Sequence, residues 1–158
     1  MTHILFITSI SAFAYLCLSV GVCRGIPVSL SYTYYELGGK GWLFQAVMSV
    51  VAITLLPVWI SVSSEPLRFL VFLSCASLLF VAAAPSFRLE PEGKVHYISA
   101  AVCCICSTLW QILEGVWDVT LYFAASALVF CLHDTVKWCW WVECAVIGSL
   151  LANLWRIV

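Results

Sequence analysis

A chain of 158 residues that is 64% hydrophobic and 9% charged, with a mean hydropathy of +1.07, is too apolar for water. A soluble domain of this size leaves about 30% of its chain surface exposed, so such a composition would present apolar patches that soluble monomers do not tolerate. The formal net charge of −1, with seven Lys and Arg residues spaced singly, excludes a nucleic-acid surface, which needs clustered cations.

Lipid is the solvent these numbers fit, and a helix crosses a hydrocarbon core of about 30 Å with roughly 20 residues. Six predicted spans follow in chain order, at 4–22, 42–62, 67–84, 95–113, 117–132 and 138–154, making one all-α polytopic transmembrane bundle over 1–158. The first run ends in small residues and Gly21, as a cleaved secretory signal does. Its start offers only His3 where a signal carries positive charge, and a retained span is expected. Pro57 inside the second span predicts a kink or an approach to the interface. The turn "SSEPLRF" places Ser63 or Ser64 at a cap and Pro66 in the first turn, so spans two and three form a tight hairpin. The fifth span is the shortest, bounded by Asp118 and by His133 and Asp134.

Trp42, Trp59, Trp110, Trp117, Trp138, Trp140, Trp141 and Trp155 fall at span ends, where an indole is at home among head groups. With six spans, Arg24, Lys40, Arg88, Lys94 and Lys137 share one face, and Arg68 and Arg156 share the other. The cationic face is therefore expected in the cytoplasm, with both termini on the non-cytoplasmic side. The nine cysteines are odd in number and lie mostly inside apolar runs, which fits packing residues better than a disulfide framework. The cluster Cys103, Cys104 and Cys106 is expected to be a small-residue helix face, because a thiolate metal site would place charge in hydrocarbon.

Between the first two spans lies "PVSLSYTYYELGGKG", residues 27–41. Val28, Leu30, Tyr32 and Tyr34 alternate with Ser29, Ser31, Thr33 and Tyr35, a period near two that predicts an extended or re-entrant segment. Backbone of that kind survives near lipid only when protein or trapped water satisfies it, so the stretch should fold against the bundle. It serves either as a tyrosine anchor at the head groups or as a rim that touches a ligand.

Other polar groups project toward the same face: Gln45, His96, His133, Asp134 and Glu143. Glu143 lies about 9 Å along its helix from Lys137, inside or at the edge of the hydrocarbon. An acid near the middle of a span costs about 2.5–3.5 kcal/mol, so a partner, a wet cavity or protonation is implied. His96 is the expected partner, with Gln45 and the tyrosine hydroxyls as alternatives. The pair would hold two helices in register or floor a polar pocket for a lipid head group or ion. A metal site from His96, His133, Asp134 and Glu143 has suitable ligand types but no HExxH spacing. On the opposite face, Glu114 and Asp118 fit a solvated turn near Gln111, Asn153 and Arg156, while Ala145, Gly148, Ser149 and Ala152 allow close helix approach in the last span.

The apolar first span, the stretch "IPVSLSYTYYELGGKGWLFQ", the hairpin after it and "VHYISAAVCC" opening a later span resemble a group of small multi-span proteins. That group includes the damage-regulated autophagy modulators and uncharacterised bacterial relatives. The matching positions are Ser29, Ser31, Tyr32, Phe44 and His96; Glu143 has no counterpart. The resemblance implies a six-span bundle without an established catalytic mechanism.

The expected protein is non-enzymatic and without a cofactor. It binds a lipid or small ligand through Ser31, Tyr32, Tyr35, Gln45, His96 and Glu143, or serves as a partner in a membrane complex, including one with a second copy of itself. A transporter or channel protomer is the alternative, although no inverted repeat is present; an intramembrane metal-dependent hydrolase is the third reading. Cysteines placed at Gly38 and Glu92 are expected to react with a membrane-impermeant reagent only after cells are opened, and labelling of intact cells would reverse the orientation.

Overall fold

The computed structural model describes residues 1–86 and 88–158, without the side chain of Cys23, and is helical throughout with no strand among them. The helices are α1 (Thr2–Arg24), the one-turn α2 (Thr33–Glu36), α3 (Trp42–Val62), α4 (Arg68–Ala83), α5 (Glu92–Leu113), α6 (Trp117–His133) and α7 (Trp138–Ile157). Short 3-10 turns at Gly38–Lys40, Glu65–Leu67 and Thr135–Lys137 lead into α3, α4 and α7. Among the described residues, four helices, α1, α3, α4 and α5, are long and apolar enough to cross a membrane. At 1.5 Å per residue the 17-residue α6 reaches only about 26 Å. The 20-residue α7 is long enough, but Glu143, Asn153 and four tryptophans dilute its apolar character.

The long helices are apolar nearly all round, as buried or membrane helices are. Ile4 and Leu18 of α1, Phe69 and Phe72 of α4, and Leu121 and Leu132 of α6 point outward and are more than half exposed. α1 packs on α3, α3 on α4, α4 on α5, and α6 chiefly on α7, which also touches α5. Gly148 makes the α6–α7 approach possible, since a Cβ there would lie 2.7 Å from the Phe123 ring. The core centres on Trp59 and Trp110, both about fully buried and set edge to face with ring centroids 5.2 Å apart.

Two ends of the bundle can be told apart. One end gathers the 25–41 connection, the 84–91 connection and the start of α7. The other carries the α3–α4 hairpin, the α5–α6 turn and both termini. At that second end Ser63 Oγ accepts from Trp110 Nε1 at 2.9 Å and donates to the Trp59 carbonyl at 2.6 Å. Ser64 donates through its backbone N–H and its hydroxyl to the two Glu114 oxygens, both at 2.9 Å. Glu114 thus clasps the hairpin rather than lying idle in a solvated turn. Arg156 pairs with Asp118 at 2.8 Å.

One local expectation changes. The 29–36 stretch is helical rather than extended: Tyr32 N–H reaches the Ser29 carbonyl and Thr33 N–H the Leu30 carbonyl, each at 3.1 Å, before α2 continues the turn. Satisfying backbone groups locally outweighs the two-residue alternation of side chains near lipid. α3 continues as one helix through Pro57.

A buried amide cluster ties α5, α6 and α7 together. Gln111 and Asn153 are both fully buried; Gln111 Oε1 accepts from Asn153 Nδ2 at 2.9 Å and from Thr120 Oγ1 at 2.8 Å. Interhelical bonds of this type in membranes average about 0.6 kcal/mol and reach about 1.7. A double-mutant cycle with Asn153→Ala and Thr120→Ala, read by unfolding in mixed micelles, is expected to give destabilisation within that range and non-additive coupling through Gln111.

Candidate functional site

The polar side chains at the cationic end mostly satisfy helix termini. The last carbonyls of a helix have no partner within it, and α4 ends at Ala83. Gln45 Nε2 donates to the Ala82 carbonyl at 3.3 Å, and His96 Nδ1 meets the Ala84 carbonyl at 2.8 Å. A carbonyl only accepts, so Nδ1 of His96 carries the proton in this contact. His96 is nearly fully buried, and its ring also stands edge-on to Tyr97.

Glu143 has a different partner. Its Oε2 accepts the backbone N–H of Leu30 at 2.6 Å, while Trp140 N–H donates to the Val28 carbonyl at 3.2 Å. The first turns of α7 therefore hold the 28–30 backbone against the bundle. The expected His96–Glu143 pair is replaced by two separate side chain-to-backbone bonds, because each polar group lies beside an unpaired terminus of the chain's own backbone.

The tyrosines take a third role. The Arg88 guanidinium lies over the rings of Tyr32 and Tyr35, 4.9 and 4.3 Å from their centroids, and Nη2 donates to the Tyr32 hydroxyl at 2.5 Å. Arg88 N–H donates to Tyr35 Oη at 3.1 Å. Cation–π contacts of this kind contribute about 0.5–1 kcal/mol each when exposed. They fasten Arg88 of the following connection to the tyrosines of the 27–37 strap.

Beneath the strap, a cavity of about 60 Å³, measured as the volume open to the centre of a water-sized sphere, lies between α1, α3, α4, α5 and α7. Its walls are largely apolar, with Phe13, Met48, Leu55, Leu78 and Leu150 among them. Its polar points are Glu143, Ser31, Ser74, Ser107 and Trp59, whose indole N–H has no hydrogen-bond partner among the described residues. Leu30 and Ser31 of the strap form part of the wall. Of the sequence-predicted site residues, Ser31 and Glu143 therefore meet at one cavity, whereas Tyr32, Tyr35, Gln45 and His96 do not line it and are engaged in the contacts above. Cys75, Cys103 and Cys104 also line it, and Ser74 Oγ bridges α4 to α5 by donating to the Cys103 carbonyl at 3.1 Å. In the sequence these cysteines look like packing residues, and nothing beyond the local clustering at 103–106 signals that they face a cavity.

His133 and Asp134 lie at the end of α6, where Asp134 pairs with Lys137 at 3.2 Å. The hydrogen bond from that ammonium holds the Asp134 carboxyl below the usual carboxylate range. Among the described residues no three His, Cys, Asp or Glu side chains gather in a way that could hold a metal ion, so the donor set imagined for a hydrolase is not assembled. Neither models of protein families, nor curated proteins, nor solved structures matched this chain.

Replacing Glu143 with Leu strips the Leu30 N–H of its acceptor, while Gln retains an acceptor oxygen. A buried donor left unpaired costs about 1–3 kcal/mol, so Leu30 amide exchange in Glu143→Leu should speed by roughly 5- to 150-fold, with Glu143→Gln near wild type. A double-mutant cycle between His96 and Glu143 should return coupling near zero.

Proposed function

We propose that the chain is a six-span integral membrane protein, with both termini on the non-cytoplasmic side, that binds a lipid or small apolar ligand in the cavity beneath the 27–37 strap without transforming it. The observation that carries this reading is the cavity itself, apolar along most of its wall and polar where Glu143 and Ser31 meet. Largely apolar pockets with a few placed polar groups are the usual form of small-molecule sites. The contacts around the cavity add support: a strap clasped by α7 and by Arg88 gives the site a defined roof.

The α6 and α7 spans belong to this proposal. In its favour, the Gln111–Thr120–Asn153 cluster is fully enclosed between α5, α6 and α7, where it would bind helices within a bilayer. α6 reaches the full thickness if the bilayer thins locally, an accommodation that costs fractions of a kcal/mol per ångström.

The test is thermal unfolding of the protein in lipid nanodiscs with added 1-dodecanol. A ligand at a hundred times its dissociation constant stabilises the folded state by about 2.7 kcal/mol. A saturable rise in Tm is expected for wild type and no rise for Ala100→Phe, which fills the cavity wall, provided circular dichroism shows that variant helical. Absence of any saturable shift in wild type would count against the reading.

A further inference from the structure

The cavity's shape and charge narrow what it can hold. Its wall follows α3 from Met48 to Trp59, about 16 Å of helix, and α7 from Glu143 to Leu150, about 10 Å. Spreading 60 Å³ of centre-accessible volume along such a length leaves a narrow bore. Space that small is closer to the girth of one unbranched hydrocarbon chain, whose carbons pack at about 3.5–4.0 Å from their neighbours, than to anything broader. A ring system or a pair of acyl chains exceeds that bore. At about 1.2 Å per bond of an extended chain, 16 Å corresponds to roughly thirteen bonds, within which a twelve-carbon amine fits.

The charge is one-sided. Among the described residues no Lys, Arg or His lines the cavity, and Glu143 is its only carboxyl group. One Glu143 oxygen takes the Leu30 N–H; the other has no hydrogen-bond partner among the described residues, and neither has the Ser31 hydroxyl beside it. Both lie at the strap end of the bore, while Leu55 and Trp59 lie toward the far end. An acceptor-rich head of negative charge would meet only the carboxylate there. A protonated amine supplies the counter-charge and the donors that this end lacks.

Resting on the ligand-binding reading above, we propose that the cavity is a site for a single-chain primary amine, its ammonium group on Glu143 and Ser31 and its unbranched chain running along α3 to Leu55 and Trp59. The pairing of an elongated apolar bore with a lone carboxylate at one mouth is the feature that selects this class over diacyl lipids, sterols and fatty acids.

A dodecylamine carrying a diazirine at its chain terminus, added to the full chain in nanodiscs, tests this directly. Photolabel is expected on α3 between Leu55 and Trp59. At matched membrane concentrations, dodecylamine should displace the probe at least about tenfold better than 1-dodecanol, the scale of one charge-assisted hydrogen bond. Dodecanoate should fail. In Glu143→Gln, which retains the Leu30 contact, the advantage of amine over alcohol should vanish while labelling at α3 persists. If amine and alcohol displace the probe equally from wild type, or if Glu143→Gln leaves the amine preference intact, the amine assignment falls and the broader ligand-binding reading stands. If α3 is not labelled and 1-dodecanol gives no Tm shift, both fall together.

Discussion

Hydrocarbon offers no hydrogen bonds, so the polar groups this chain carries away from water are drawn to partners within the protein. That constraint organises the molecule. The carbonyls left open at the end of α4 draw in Gln45 and His96, and the Leu30 N–H at the start of the strap draws in Glu143. On the far side the same demand joins Ser63 to Trp110 and Gln111 to Asn153. Few of these bonds join the two side chains of a preconceived site. Most complete a backbone that would otherwise be left bare.

This explains which parts of the fold were legible in the sequence. α3 begins and ends where the apolar run between Trp42 and Val62 does, and α5 ends at Leu113 as read, because length and hydropathy report directly on burial in lipid. The α3–α4 turn was equally plain from Pro66 in its first turn, although neither serine caps it: Ser63 bonds Trp110 and Ser64 bonds Glu114. The partner of Glu143 was hidden for a physical reason: a backbone N–H belongs to every residue except proline, so nothing in the letters marks Leu30 as the donor. The strap misled for the opposite reason. Its alternating side chains carry a strand-like period, but two or three residues of helical turn satisfy more backbone there than any extended path without a neighbouring strand.

The candidate site shows the same division. Glu143 stood out by the cost of its position, and Ser31 by its place in an unusual polar stretch. The cavity that joins them is a property of five helices packing at once. Its thiol and hydroxyl lining, Cys75, Cys103, Cys104, Ser74 and Ser107, is individually indistinguishable from small residues chosen for close helix approach. Tyr32 and Tyr35 attract notice in the sequence as a potential rim, yet what they hold is Arg88 from 53 or more residues away.

The strap's clasp also bears on how the protein is made. Leu30 leaves the ribosome early, but the carboxylate that receives its N–H is 113 residues further along the chain. At synthesis rates of about 5–20 residues per second, that separation is on the order of 6 to 20 seconds. Arg88, 53 residues beyond Tyr35, can take hold of the segment partway through this interval, but the roof closes only once α7 has been made. Truncated nascent chains lacking that helix would therefore be the natural clients of whatever factors shield unfinished membrane proteins.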